Sequence, residues 1–212
     1  MKSSLLIMEI LDDAYLTISS ASRGIFKEKG SKFLAFAFPV TSEEQVKDHL
    51  AALRKEFHDA RHHCYAYRLG FDQQSYRLND DGEPSGTAGR PIYGQIINRE
   101  LTQVLIVVIR YFGGIKLGVP GLINAYRSAS KDALDNAQII TKTIQEEYEV
   151  KFDYMTMNDV MKTLKECNAF IILQESGNSC TIRFVIRKNM VPRIVGRFEK
   201  ISNLSLKSMR SF

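Results

Sequence analysis

The chain has 212 residues, 44% of them hydrophobic and 25% charged, with a formal net charge of +5. These values fit a globular protein of one large or two small domains and exclude the collagen-like and disordered classes. No apolar run reaches the roughly 20 residues needed to cross a bilayer, so we expect no membrane partner.

The stretch from Ser3 to Ile10 is apolar, but Glu9 interrupts it and no small-residue cleavage site follows, so it reads as mature protein and not as a signal peptide. Tyr15 to Ser19 and Lys32 to Val40 read as strands, the second rich in phenylalanine (Phe33, Phe36, Phe38). Between them, Arg23-Gly24 and Lys29-Gly30-Ser31-Lys32 read as a polar, basic turn region. A helix follows from Ser42, which forms a capping-box pattern with Gln45, and Val46, Leu50, Leu53 and Phe57 recur at helical spacing. His63 to Leu69 alternates as a strand.

A Gly-rich loop then runs from Asp80 to Arg90 and leads to a short helix carrying Ile92, Tyr93, Ile96 and Ile97. Val104 to Ile109 is continuously apolar, as a strand buried on both faces requires. It feeds a second Gly-rich loop, Tyr111 to Gly118, and a helix from Pro120 expected to bury Leu122, Ile123, Tyr126, Ala129, Ala133, Leu134 and Ala137. Pro91 and Pro120 stand near the starts of these helices, where an N–H is not needed.

Asn136 to Thr143 is polar and turn-like, and after it the pattern restarts. Ile144 to Phe152 reads as a strand, Thr156 opens a helix, and Ala169 to Gln174 is a strand followed by a turn over residues 175–178. Thr181 to Arg187 alternates, Asn189 is expected to cap a helix with Pro192 in its first turn, and Leu204 and Leu206 mark a last strand. The order is βαββαβ, the ferredoxin-like unit. We therefore expect an α+β protein with an N-terminal α/β domain over residues 1–141 and a ferredoxin-like domain over residues 142–212. The second part carries 12 Lys and Arg against 8 Asp and Glu, the first 17 against 16, a bias that permits an anionic partner.

The two loops hold the chemistry. A strand, a Gly-rich turn and a helix start can aim backbone N–H groups at an anion, with Arg110 and Lys116 adding charge; the same glycines could equally serve a tight turn. Neither the Walker nor the dinucleotide fingerprint is present. Asp80, Asp81 and Glu83 could hold a cation, act as acid and base, or make turns and salt bridges. Ser85, Thr87 and Arg90 complete the candidate binding residues of the first loop, and Arg110, Tyr111, Phe112, Gly113, Gly114, Lys116 and Gly118 those of the second. His62 and His63 alternate on their strand, so they do not readily share a metal. The three cysteines, Cys64, Cys167 and Cys180, form no disulfide framework or metal spacing, which suits the cytoplasm. Cys64 is read either as a buried structural thiol or as a nucleophile. In the C-terminal part, Arg183 and Arg187 share a strand face that could be solvated or meet RNA backbone. We assign no catalytic residue, no metal and no cofactor.

Asp80 to Gly89, Arg110 to Gly118, Gly121-Leu122 and Ala125-Tyr126 closely resemble the IMPACT family, to which bacterial YigZ-like proteins belong. Lys29 to Phe33 and Ala60 to Cys64 look like its pattern too, so the likeness covers roughly residues 15 to 137. Pro120 departs from it, standing where the family usually has glycine. The resemblance implies an N-terminal domain similar to the fourth domain of elongation factor G and a C-terminal domain similar to its fifth. It also implies a link to translation, which eukaryotic relatives regulate under stress. We therefore expect a cytoplasmic, non-enzymatic protein that binds RNA, a ribosome-associated protein or another phosphate-bearing ligand where the two loops converge on an electropositive hollow. The alternative is an enzyme acting on a phosphorylated or peptide substrate with the Asp80–Glu83 loop and His62 or His63.

Overall fold

Residues 13–71, 75–177 and 179–212 are described in the computed structural model; Ser3 to Ile10 and Asn178 of the expected turn lie outside them. β1 (Ala14–Ile18) is followed by an antiparallel hairpin of β2 (Ser22–Glu28) and β3 (Ser31–Pro39), turned at Lys29 and Gly30 with φ of 46° and 77°. The basic stretch expected as a turn is thus mostly strand. Its polarity misled because β2 is an edge strand with Arg23 and Lys27 facing solvent, the kind of edge that charge keeps from aggregating.

α1 (Glu43–Glu56) starts where the capping box places it. Ser42 Oγ accepts from the Gln45 N–H at 3.3 Å, and Gln45 Oε1 accepts from the Thr41 N–H at 2.7 Å. Glu43 and Glu44 in the first turn and Arg54 and Lys55 in the last complement the helix dipole. β4 (His62–Leu69), β5 (Ser75–Asn79), α2 (Gly89–Ile97), β6 (Val104–Tyr111), α3 (Gly118–Asp135) and β7 (Ile139–Thr143) follow. The sequence reading does not include β5 or β7: β5 alternates Tyr76 and Leu78 with polar residues over five positions only, both of them exposed, and β7 sets Ile139 beside Ile140 with no alternation.

The main sheet is antiparallel in the order β2-β3-β6-β4-β5, and β1 pairs with β7 in a separate two-stranded sheet. β6 lies at its centre. Val104, Ile106 and Val108 pack on one side with Ile92, Ile96, Leu122, Ala125 and Tyr126 of α2 and α3, and Leu105, Val107 and Ile109 on the other with Val46 and Leu53 of α1. Burying each such aliphatic side chain contributes about 1.5–3 kcal/mol, which makes β6 the spine of the domain.

Residues 15–141 form one compact unit, and residues 142–212 with Asp13 and Ala14 belong to another. In the second, β8 (Gln145–Asp153), α4 (Met157–Glu166), β9 (Phe170–Glu175), β10 (Ser179–Arg187), α5 (Val191–Phe198) and β11 (Leu204–Ser211) build an antiparallel sheet in the order β11-β8-β10-β9. That is the ferredoxin-like topology, with Val150, Ile182, Phe184, Val160, Leu164, Ile194 and Phe198 in its core. Asn189 does not cap α5. It sits in a 3-10 turn, the cap position is Met190, and the Asn189 N–H donates to Asp13 Oδ2 at 3.3 Å. Among the described residues no helix is long and apolar enough to cross a membrane.

Candidate functional site

The first loop is organised by its carboxylates turning inward. Asp80, just after β5, accepts from the N–H groups of Gly86, Ala88 and Gly89 at 2.8–2.9 Å, so a full negative charge faces the N-terminus of α2. Asp81, at φ 41°, accepts from the His63 N–H at 2.7 Å and meets Arg54 at 3.3 Å, while its own N–H donates to Asn79 Oδ1. Thr87 Oγ1 donates to the Pro84 carbonyl at 2.6 Å, which closes the turn; Ser85 and Arg90 are exposed.

Glu83 joins the two loops. Its Oε1 accepts from Arg110 Nη1 at 2.7 Å and from the Tyr126 hydroxyl at 2.8 Å, and the Glu83 and Arg110 side chains are only 3% and 8% exposed. Arg110 alternates onto the inner face of β6, and its guanidinium lies 5.5 Å from the Phe33 ring centre and 5.6 Å from that of Phe112. Cys64 Sγ donates to the Asp80 carbonyl at 2.9 Å and lies 3.3 Å from the Tyr126 hydroxyl. The loops therefore converge, but on a buried, charge-balanced pair and not on an electropositive hollow. A lone buried arginine would be prohibitively costly, and Glu83 is what lets Arg110 sit there.

Burial pushes the Cys64 thiol and the Tyr126 phenol well above their ordinary values, so neither ionises near neutrality. Burial also lowers the His63 imidazole, partly offset by Asp81. His62 Nδ1 faces the Asp81 backbone carbonyl at 2.8 Å, and among the described residues neither histidine ring hydrogen-bonds a loop carboxylate. Among the same residues no group of three His, Cys, Asp or Glu could hold a metal ion.

The second loop is outward. Tyr111 donates its hydroxyl to Asp59 Oδ1 at 2.7 Å, while Phe112, Ile115 and Val119 are exposed by more than half, and Gly114, Lys116 and Gly118 are exposed with them. The Gly113 N–H donates to Ser31 Oγ at 3.1 Å, which brings the Lys29-Gly30 turn against this loop. In the C-terminal unit Arg183 pairs with Glu149 at 3.0 Å, Arg187 with Asp13 at 2.8 Å, and Arg197 with Glu166.

The helical spacing places Tyr126 in the core, and nothing near Cys64 in the chain marks its partner. Their places beside Glu83 depend on contacts 43 and 62 residues apart along the chain, for which no local spacing is a signal.

An antiparallel α+β domain with two inward-tied Gly-rich loops, together with a ferredoxin-like unit, defines the class. Residues 29–134 match the Impact N-terminal domain. The chain is 31% identical to the IMPACT family member YvyE of Bacillus subtilis (strain 168) over 171 residues, 81% of this chain and 78% of that one. It is 34% identical to YigZ of Escherichia coli (strain K12) over 166 residues, 77% and 79% of the two chains. A crystal structure described as that of a hypothetical protein superposes with a TM-score of 0.72 at 29% identity, covering 93% of this chain and 98% of its own. The chain belongs to the IMPACT family.

Proposed function

We propose that this protein is a cytoplasmic, non-enzymatic factor of translation that binds single-stranded RNA at the ribosome through the β6–α3 loop and the loops beside it. The observation that carries this reading is the direction of the charges. Asp80, Asp81 and Glu83, which would repel phosphate, are each tied to protein donors, while Lys29, Arg90 and Lys116 are exposed. Phe112, 58% exposed on the same loop as Lys116, offers a face on which a base can stack. Membership of a family that includes eukaryotic IMPACT homologues, together with the link to translation that the resemblance implies, supports the same reading.

The test is binding of a labelled single-stranded RNA, and sedimentation with ribosomes, as salt is raised. Contact with two or three phosphates lowers the logarithm of affinity by about 0.7 per phosphate per decade of salt. Lys116→Glu should weaken binding and flatten that slope, and Phe112→Ala should weaken it without changing the slope. Failure to bind either RNA or ribosomes at low salt overturns the proposal.

A further inference from the structure

The main sheet is covered unequally. Five strands at about 4.8 Å spacing span about 19 Å, and a helix with its side chains is about 10 Å across. Among the described residues of this unit, α2 and α3 cover one face and α1 covers the other, packing Val46 and Leu53 with Tyr65, Tyr67, Leu105 and Val107 of β4 and β6. α1 and the turn after it reach β3 at Phe36 and Phe38, which pack on Phe57 and His49; among the described residues, what stays open on that face is β2 with Lys32 and Leu34 of β3, on the opposite side of the sheet from Glu83 and Arg110.

Cross-strand pairs there are Arg23 with Phe36, Ile25 with Leu34, and Lys27 with Lys32. Ile25 is 45% exposed, and it lines a groove of about 390 Å³ with Leu34, Phe36 and Phe57. The Arg23 guanidinium lies 5.2 Å from the Phe36 ring centre. Lys27 and Lys32 are both exposed and stand directly opposite each other, an arrangement that costs stability in the free protein. Asp132, the acid at the groove, is already engaged: its Oδ2 accepts from the Ile25 N–H at 2.8 Å.

The occupant of this groove is constrained further. An added strand has little to pair with, because Asp132 takes the outward Ile25 N–H and Asn136 Nδ2 donates to the Arg23 carbonyl at 2.9 Å. A stacked base needs an open aromatic face, whereas Phe36 is 5% exposed and lies under Arg23, and Phe57 is half-buried with its ring packed 5.4 Å from that of Phe36. An apolar floor rimmed by cations instead complements a helix that is apolar on one side and acidic along its flanks. We propose that the open β2–β3 face binds an acidic amphipathic helix of a protein partner, with its apolar stripe on Ile25 and Leu34 and its carboxylates against Arg23, Lys27 and Lys32.

The probe is a synthetic fluorescein-labelled peptide of about five helical turns, with leucines at helical spacing and glutamates on the flanks. Its controls are a scrambled peptide of the same composition and a lysine-for-glutamate version. By fluorescence anisotropy with the full-length protein at low salt, the patterned acidic peptide should bind at least about tenfold more tightly than either control. Ile25→Asp, and separately Lys27→Glu with Lys32→Glu, should each reduce that binding about tenfold or more. All three positions are exposed or half-exposed, and circular dichroism melts within a few degrees of wild type certify the fold; the lysine pair serves if Ile25→Asp melts early. Equal binding of the scrambled peptide, no loss in the variants, or displacement of the peptide by a single-stranded RNA that the lysine variant no longer binds would overturn the proposal, the last by giving the face to nucleic acid. Because Lys116 and Phe112 are not part of this face, loss of RNA binding on their substitution leaves the peptide result standing.

Discussion

A Cβ placed on Gly30 would stand 2.8 Å from the carbonyl oxygen of Gly113, and one placed on Gly113 would overlap the Gly30 carbonyl group and the Ser31 nitrogen. The β2–β3 turn and the β6–α3 loop are therefore in backbone contact, and no side chain fits between them. Gly30 also has φ of 77°, a left-handed conformation that favours glycine.

From that contact it follows that Gly113→Ala should be far more damaging than Gly114→Ala. Gly114 has φ of 87° but open space around its Cβ position, so alanine there costs about 1 kcal/mol in backbone strain. Gly113→Ala must instead push two backbone segments apart, which costs about 1–3 kcal/mol or more. Urea unfolding of both variants measures the difference, and equal midpoints would contradict the close approach.

Breaking the Glu83–Arg110 pair from one side should cost about 3–5 kcal/mol, because the surviving charge stays buried. Replacing both, as Glu83→Gln with Arg110→Met, should recover a large part of that loss. A double-mutant cycle by chemical denaturation reads the coupling; additive losses would mean that the two residues do not share a desolvated pair.

Stability should fall at alkaline pH. Cys64 and Tyr126 are raised by burial above their ordinary values of 9.0 and 10.0. Their contribution is therefore complete below pH about 9 and is lost as pH rises, since the unfolded chain ionises first. Each such group contributes a slope of about 1.4 kcal/mol per pH unit. Denaturation midpoints taken between pH 8 and pH 10.5 should decline, and Cys64→Ala should flatten the part of the decline that begins near pH 9. In the native protein a thiol reagent at neutral pH should leave Cys64 unlabelled; rapid labelling would mean that the thiol is neither buried nor protonated.

Asp80→Ala should loosen the whole first loop. It deprives three N–H groups of their acceptor at the start of α2, and loss of an N-terminal cap alone costs about 0.5–2 kcal/mol. Hydrogen exchange should accelerate at Gly86, Ala88 and Gly89 while the β6 amides stay protected. Unchanged exchange at those three amides would refute the capping role.

Much of the frame was legible locally. Ser42 with Gln45 announced α1, the run from Val104 to Ile109 announced a strand buried on both faces, and the alternation from Ile144 onward announced the ferredoxin-like unit. β2 was misread as a turn because an edge strand shows solvent the same polar residues that turns use. Asn189 misled because a capping residue type one position early serves a 3-10 turn instead.

Which segments are apolar on one face or both, where helices can start, and which family the loops belong to can all be read from short windows of the chain, because periodicity, capping and motif are properties of neighbouring residues. Folding settles the rest: the loop carboxylates turn inward, Arg110 is neutralised by Glu83, Gly30 touches Gly113, and the β2 edge of the sheet lies uncovered by α1. Those facts depend on how residues tens of positions apart are brought together, and on burial, which sets whether a charge is a ligand or a strut; neither is encoded in any local window of the chain.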